Sequence, residues 1–131
     1  MSNVLQKQVN WVSGVSVPTS AQTQILYSGR VQVTLPTVRA VVKGFMNITS
    51  GTSCVILQAR VYRGQFATGS GVGSNILRNT TAGNSDELNF AWSEQLLNVE
   101  YVDYSVTLTC VSATAASTVN IGLLEIELIN G

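Results

Sequence analysis

The sequence predicts an all-β protein, an antiparallel β-sandwich of the jelly-roll type with about eight strands. Apolar and polar residues alternate with a period of two in most segments, which places each set on one face of a β-strand. Turn residues interrupt these segments at intervals of roughly 8–14 residues, a spacing typical of sandwiches and barrels. No segment shows the periodicity of a convincing helix.

The first 20 residues are predicted to form an extended N-terminal arm, and residues 21–131 the sandwich domain. Residues 1–20 carry one charge, Lys7, among many apolar side chains. They could form the first strand or lie as an arm on a neighbouring subunit. An exposed segment of this composition would promote aggregation, so burial against a partner is favoured. The candidate partner-binding residues are Val9, Trp11, Val15 and Val17.

The centre of the prediction is the stretch from residue 38 to residue 63, which follows two shorter strands over residues 22–27 and 30–35. It contains two long alternating segments on either side of Ser50-Gly51-Thr52, and we interpret it as a hairpin. Gly51 is expected to adopt a positive φ there, because glycine does so at little cost.

The second half of the chain begins with a glycine-punctuated loop over residues 64–75. The segment from residue 88 to residue 97 is ambiguous. We expect its first half to be a strand followed by a turn, although residues 93–100 could instead form a single helical turn. The parity of the last strand slips, and Gly122 is the expected position of a bulge. Strands are expected over residues 74–80, over the first half of residues 88–97, and over residues 100–111 and 118–129.

Charge is sparse and balanced. The 131 residues include seven basic and seven acidic side chains, with a formal net charge of zero. A folded chain of this size exposes roughly 6,700 Å², or one charge per about 480 Å². Such a monomer would be poorly soluble, so we expect a homo-oligomer. Neither nucleic acid nor a membrane is an expected partner, since both would call for a basic patch.

The sequence contains no histidine, which removes the commonest general base and metal ligand. Asp86, Glu87 and Asp103 could bind a hard cation, and two of Glu94, Glu100 and Asp103 could form a glycosidase pair. Nothing in their spacing selects any such set. We therefore expect no enzyme, no cofactor and no catalytic or metal-binding residue.

Two groups of residues leave alternatives open. Cys54 and Cys110 are interpreted as buried thiols, with a disulfide between neighbouring strands as the alternative. The aromatic side chains are interpreted as core or interface residues, and a sugar-stacking platform is the alternative. That platform would draw on Trp11, Trp92, Tyr62, Tyr101 and Phe66.

Residues 22–131 resemble a family of viral proteins in the order of their segments. The order is ILYSGRVQVTLP, VVKGFMNITSGTSCVILQARVYRG, a glycine loop, AGN, YSVTLTC and a TVN-I-LLEIEL ending. It is similar to small jelly-roll structural proteins of tailed phages and related viruses: head-decoration, spike or fibre-head proteins, often trimeric and built like tumour-necrosis-factor-like domains. The resemblance implies a non-enzymatic virion protein, a trimer, that decorates or reinforces a capsid or forms a spike or fibre head. The alternative is a lectin-like, carbohydrate-binding module that recognises a host surface glycan.

Overall fold

Strands account for most of the fold, and the structure, a computed structural model, describes residues 4–130. In chain order the strands are β1 (Val4–Val17), β2 (Thr23–Tyr27), β3 (Val31–Gln32), β4 (Thr37–Thr49), β5 (Ile56–Arg63), β6 (Ser70–Asn79), β7 (Ser85–Leu97), β8 (Tyr101–Val102), β9 (Tyr104–Val111) and β10 (Ser117–Asn130). One antiparallel sheet has the order β1-β10-β4-β7, a second has the order β2-β9-β5-β6, and β3 pairs with β8 in a short ribbon. This arrangement is a jelly roll of eight main strands. The predicted fold class is confirmed.

The two sheets enclose one apolar core, because alternate side chains of each strand point towards the facing sheet. The sheets contribute in similar measure. Fully or almost fully buried residues of the first sheet include Val42, Met46, Leu124 and Ile126, and those of the second include Leu57, Ala59, Val106 and Leu108.

The central stretch crosses between the sheets, so the predicted hairpin is wrong. β4 pairs with β10 and β7, whereas β5 pairs with β9 and β6. Alternation shows that each strand has one buried face, but it does not show which strand lies beside it. Gly51 does not have the expected positive φ, which Ser53 adopts instead, at 67°. A Cβ at Gly51 would lie 2.5 Å from the carbonyl oxygens of Ala115 and Ala116, so the glycine is needed for a close approach of two chain segments.

The first strand lies at the edge of the first sheet. β1 pairs with β10 from Val4 to Val17, and Val17 is completely buried. The segment assigned from the sequence to an N-terminal arm is thus a strand of the sandwich over residues 4–17, because its alternation matches the free edge of β10. Residues 1–3 of the predicted arm lie outside the described residues. That this segment also contacts a partner stays a prediction.

Three segments in the second half differ from their predicted form. β6 begins at Ser70, inside the predicted glycine loop. β7 continues to Leu97 without the predicted turn and pairs with β4 in unbroken register. The bulge in β10 falls between Val119 and Ile121, and not at Gly122. This shift turns Ile121 towards solvent, whereas Val119 lies in the core.

Candidate interaction surface

The outer face of the first sheet carries an apolar patch, which we call the Trp11 face. It consists of Val9 and Trp11 on β1, Phe45 on β4, and Ile121 and Leu123 on β10. The strand register places Leu123 directly between Trp11 and Phe45. The rings of Trp11 and Phe45 meet edge to face, with centroids 6.4 Å apart and planes at 82°. Three strands therefore contribute to one continuous apolar row.

The Trp11 face is open to solvent. Trp11 is 59% exposed, Val9 is 42% exposed and Ile121 is 39% exposed. A shallow cleft of about 260 Å³ is lined by Trp11, Val12, Ser13 and Ile121. Clustered apolar side chains on a soluble surface are typical of a binding site. We therefore take this face as the candidate functional site.

A cluster of opposite charges lies on the same side of the sheet. Lys7 Nζ is 2.6 Å from Glu125 Oε1, and Lys43 Nζ is 3.4 Å from Glu125 Oε2. The other glutamate, Glu127, is 4.0 Å from Lys7. The hydrogen bond from Lys7, together with the charges of both lysines, holds the pKa of the Glu125 carboxyl below its usual value, and the same hydrogen bond raises the pKa of Lys7. Two lysines and two glutamates add no net charge to the face.

The four predicted partner-binding residues separate into two pairs. Val9 and Trp11 lie on the Trp11 face, whereas Val15 packs against the core and Val17 is buried within it. The reason is a change of parity at Gly14, which adopts a φ of 62° at the position where β10 is bulged. Odd-numbered residues of β1 point outward before Gly14 and inward after it.

Three residues of the Trp11 face were not predicted as site residues. Phe45 has the same parity as the polar residues Arg39, Lys43 and Asn47, which are expected to face solvent. An aromatic residue on that polar face was the signal that could have identified it. Ile121 and Leu123 continue the alternating apolar set that begins at Val119, and Val119 is buried, so the sequence pattern does not mark them as exposed. A bulge two residues before the one expected at Gly122 would have placed both side chains outside.

One carboxylate is held between the two sheets. Glu94 on β7 accepts hydrogen bonds from the Tyr104 hydroxyl at 2.5 Å and from Arg63 Nε at 2.9 Å, and it forms an ion pair with Arg63. Burial raises the pKa of the Glu94 carboxyl, but the hydrogen bonds from Arg63 and Tyr104 and the charge of Arg63 outweigh burial and lower it overall. Burial, then the contact with Glu94, raises the pKa of Tyr104. These bonds tie β5 and β9 of the second sheet to β7 of the first.

Two other carboxylates considered for chemistry, those of Asp103 and Asp86, are bonded separately. Asp103 accepts a hydrogen bond from the Tyr27 hydroxyl at 2.7 Å. Asp86 accepts hydrogen bonds from Thr80 at 2.6 Å and from Arg78 at 3.1 Å. Across residues 4–130, no group of three or more histidine, cysteine, aspartate or glutamate side chains is placed to hold a metal ion. The same part of the chain contains no helix long and apolar enough to cross a membrane.

The aromatic residues do not form one platform. Trp92 packs against the core. Tyr62 and Phe66 contact each other edge to face, with ring centroids 5.2 Å apart. Tyr101 lies under an arginine guanidinium, 4.3 Å from its ring centroid. Of the five residues considered for sugar stacking, only Trp11 belongs to the Trp11 face.

Both cysteines are free and buried, as the first of the two sequence interpretations expects. Cys54 is 2% exposed and Cys110 is 0% exposed. Burial raises the pKa of the Cys110 thiol to about 11, so the thiol is protonated at neutral pH. A buried, protonated thiol is a poor nucleophile, which leaves these side chains as small members of the core.

Comparison with known proteins gives structural matches only, since the sequence matches no protein-family model and no curated protein. The fold is similar to a chain of the T13 viral particle of infectious bursal disease virus, with a TM-score of 0.55 and 9% identity over 96% of this chain and 35% of the viral chain. For a chain of the T=1 particles derived from infectious bursal virus, the TM-score is 0.51 and the identity 11%, over 95% and 32% of the two chains. A family 16 carbohydrate-binding module aligns with a TM-score of 0.39 and 13% identity, over 84% and 74% of the two chains.

The two viral matches show the fold that this chain shares with them. Their sequences are about as different as those of unrelated proteins, and this chain spans about a third of the length of each. Both belong to viral particles, and neither is described as coming from a phage. The chain is therefore similar in fold to the jelly-roll domains of viral capsid proteins.

Proposed function

We propose that this chain is a non-enzymatic structural protein of a virion. The observation that supports the proposal most directly is the jelly-roll order of its sheets, which it shares over almost its whole length with chains of viral particles. Glu94, Asp86 and Asp103 are each held by hydrogen bonds from neighbouring side chains, which agrees with a structural role.

The functional form in this proposal is a homo-oligomer, a trimer as the sequence resemblance implies. Support comes from the surface, which carries only 14 charged side chains on 6523 Å². A chain of this length usually has more than twice as many, at about 25% of its residues. Contact between subunits would remove part of this weakly charged surface from water.

The oligomer in this proposal decorates or reinforces a capsid, or forms a spike or fibre head. Of the predicted arm, Val9 and Trp11 are available to a neighbouring subunit of this assembly, because Val15 and Val17 belong to the core. A tailed phage is the source that the sequence resemblance suggests, and the structural matches support a virus more generally.

Quantitative mass spectrometry of gradient-purified particles from the native source tests the virion role. We expect the chain to sediment with the particles, at a copy number set by the symmetry of their lattice. A chain that is abundant in the soluble fraction and absent from the particles would overturn the proposal. Deleting residues 1–20 is not a suitable probe of attachment, because it removes Val17 from the core and β1 from the sheet.

A second candidate function is recognition of a host glycan. It is supported by the exposed ring of Trp11, together with a nearby polar group in which the Asn120 amide donates hydrogen bonds to Asn47 at 2.9 Å and to Thr49 at 2.8 Å. An aromatic ring beside amides and hydroxyls can stack on a sugar while polar groups orient it. Glycan arrays test this candidate, and the absence of binding to any glycan would leave the structural role alone.

A further inference from the structure

We propose that the Trp11 face is the surface through which copies of this chain contact one another. The occupant of the face is thus a second copy of the same chain. This inference rests on the oligomer in the proposed function, and it does not depend on the virion role.

The distribution of exposed apolar side chains is the first step of the argument. Ten large apolar side chains are strongly exposed in the described part of the chain, and half of them lie on β1 or beside it on β10. The other half lies in two smaller sets away from β1, with Leu35, Leu97 and Tyr101 near the β3–β8 ribbon and Val55 and Leu77 on or beside β5 and β6. The members of the concentrated half are Val4, Leu5, Val9, Trp11 and Ile121. Single exposed apolar residues need no explanation, whereas a concentrated set indicates an interface.

The size of the sheet face fits a stable contact between proteins. The four strands of the first sheet are 13 or 14 residues long. With about 3.3 Å per residue and about 4.8 Å between strands, the face measures roughly 43 by 19 Å, or about 800 Å². A standard interface buries about 800 Å² on each partner, with an apolar centre and a polar rim. The Trp11 face would form the apolar centre of such an interface, and the lysines and glutamates beside it would form part of the polar rim.

The balanced charges of the face fit a second copy better than a polyanion. Lys7 and Lys43 are matched by Glu125 and Glu127 within the face itself. A nucleic acid or an anionic membrane would require an excess of lysine or arginine, which this cluster does not supply. A second copy brings a surface with equal numbers of both signs, so its approach meets no net repulsion.

The test compares Trp11→Glu with a matched control, Leu77→Glu. Leu77 is 62% exposed, as open as Trp11 at 59%, but it lies on β6 of the second sheet. Sedimentation velocity over a range of micromolar concentrations measures the association of each purified variant. We expect Trp11→Glu to raise the dissociation constant at least about 30-fold, the effect of losing an interfacial tryptophan hot spot. We expect Leu77→Glu to leave it unchanged.

A second substitution and a thermal scan separate association from folding. Ile121→Glu alters the same face from β10, so it should weaken association in the same way. All three variants should unfold at nearly the same temperature when compared as monomers, since each changed side chain is exposed. One result would overturn the proposal. In it, only Trp11→Glu loses association, its unfolding temperature also falls, and Ile121→Glu associates like the wild type.

The remaining outcomes distinguish this inference from the proposed function. An oligomer that survives both face substitutions would overturn the assignment of the face and leave the oligomer standing. A wild-type chain that sediments only as a monomer would remove both. Binding of neutral oligosaccharides or of phosphatidylserine vesicles, read as a shift of Trp11 fluorescence in a Trp92→Phe background, would assign the face to another occupant. None of these results bears on whether the chain is found in particles.

Discussion

Replacement of Glu94 by alanine should test whether the polar contact between the sheets stabilises the fold. The substitution removes the acceptor of the Tyr104 hydroxyl, and Tyr104 is fully buried. It also removes the partner of Arg63, whose side chain is 46% exposed and can turn towards water. The unpaired Tyr104 hydroxyl should therefore cost more stability than the loss of the ion pair with Arg63.

The magnitude follows from these environments. A buried hydroxyl left without a partner costs about 1–3 kcal/mol. A partly exposed ion pair contributes about 0.2–1 kcal/mol. The free energy of unfolding should then fall by about 1–4 kcal/mol in Glu94→Ala, a large effect for a single polar residue. Glu94→Gln keeps an acceptor of similar shape, so its effect should be smaller, about 1 kcal/mol.

Urea unfolding followed by tryptophan fluorescence measures these changes, and Tyr104→Phe completes a double-mutant cycle. In the Tyr104→Phe background there is no hydroxyl to leave unpaired, so Glu94→Ala should cost about 1–2 kcal/mol less than in the wild type. A coupling energy below about 0.3 kcal/mol would lie within the additivity of independent sites. That result would refute the reasoning, because it would mean that Glu94 does not satisfy the tyrosine.

Three further predictions concern pH, packing and thiol reactivity. The folded-state pKa of Glu94 is lowered, so the stability that its carboxylate contributes is fully present above its unfolded pKa and is lost as the pH falls. The difference in unfolding free energy between wild type and Glu94→Gln should therefore shrink below about pH 4.3, and urea titrations at several pH values measure it. At Gly44, a Cβ would overlap the Leu123 carbonyl oxygen and lie 2.7 Å from Phe90 Cζ, so Gly44→Ala should cost at least about 3 kcal/mol in thermal unfolding, against about 1–2 kcal/mol for Gly14→Ala, where the space is open and only φ is strained. Both cysteines should resist a thiol reagent in the native protein and react once it is unfolded; rapid native labelling of either would contradict their burial.

The alternation of side chains was readable from the sequence, and the pairing of strands was not. Val42 and Leu57 were each recognised as members of an alternating apolar set, and both are buried. The same pattern arises whether two consecutive strands lie side by side or face each other across a core, so β4 and β5 were interpreted as a hairpin. Ser105 and Thr107 show a second limit. Polar side chains usually face water, but both of these are buried: Ser105 donates a hydrogen bond to the Gly64 carbonyl at 2.7 Å, and Thr107 accepts one from the Gln22 amide at 3.0 Å.

The candidate site was predictable to the extent that parity could be followed. Trp11 and Val9 stand out as apolar residues in a weakly charged segment, and the structure places both on the surface. Val15 and Val17 are equally apolar and continue the same alternation. However, they follow the change of parity at Gly14, which turns them towards the core. A glycine at positive φ is not distinguishable from an ordinary strand glycine in a single sequence. The two strand neighbours that complete the Trp11 face come from distant parts of the chain, which no local pattern reveals.

The order of the sheets also has a consequence for the way the chain folds. Of the strand pairs in the two main sheets, only β5 and β6 are consecutive along the chain, and β1 must find β10, the last strand described. Contacts between distant segments form only after large loops close, and closing them costs conformational entropy before any strand pairing stabilises the chain. Folding should therefore be slow, on a scale of about milliseconds to seconds. During synthesis β1 waits without a partner until β10 has been made. Its apolar residues are exposed for that whole interval, so the yield of folded protein should depend on concentration and on temperature during expression.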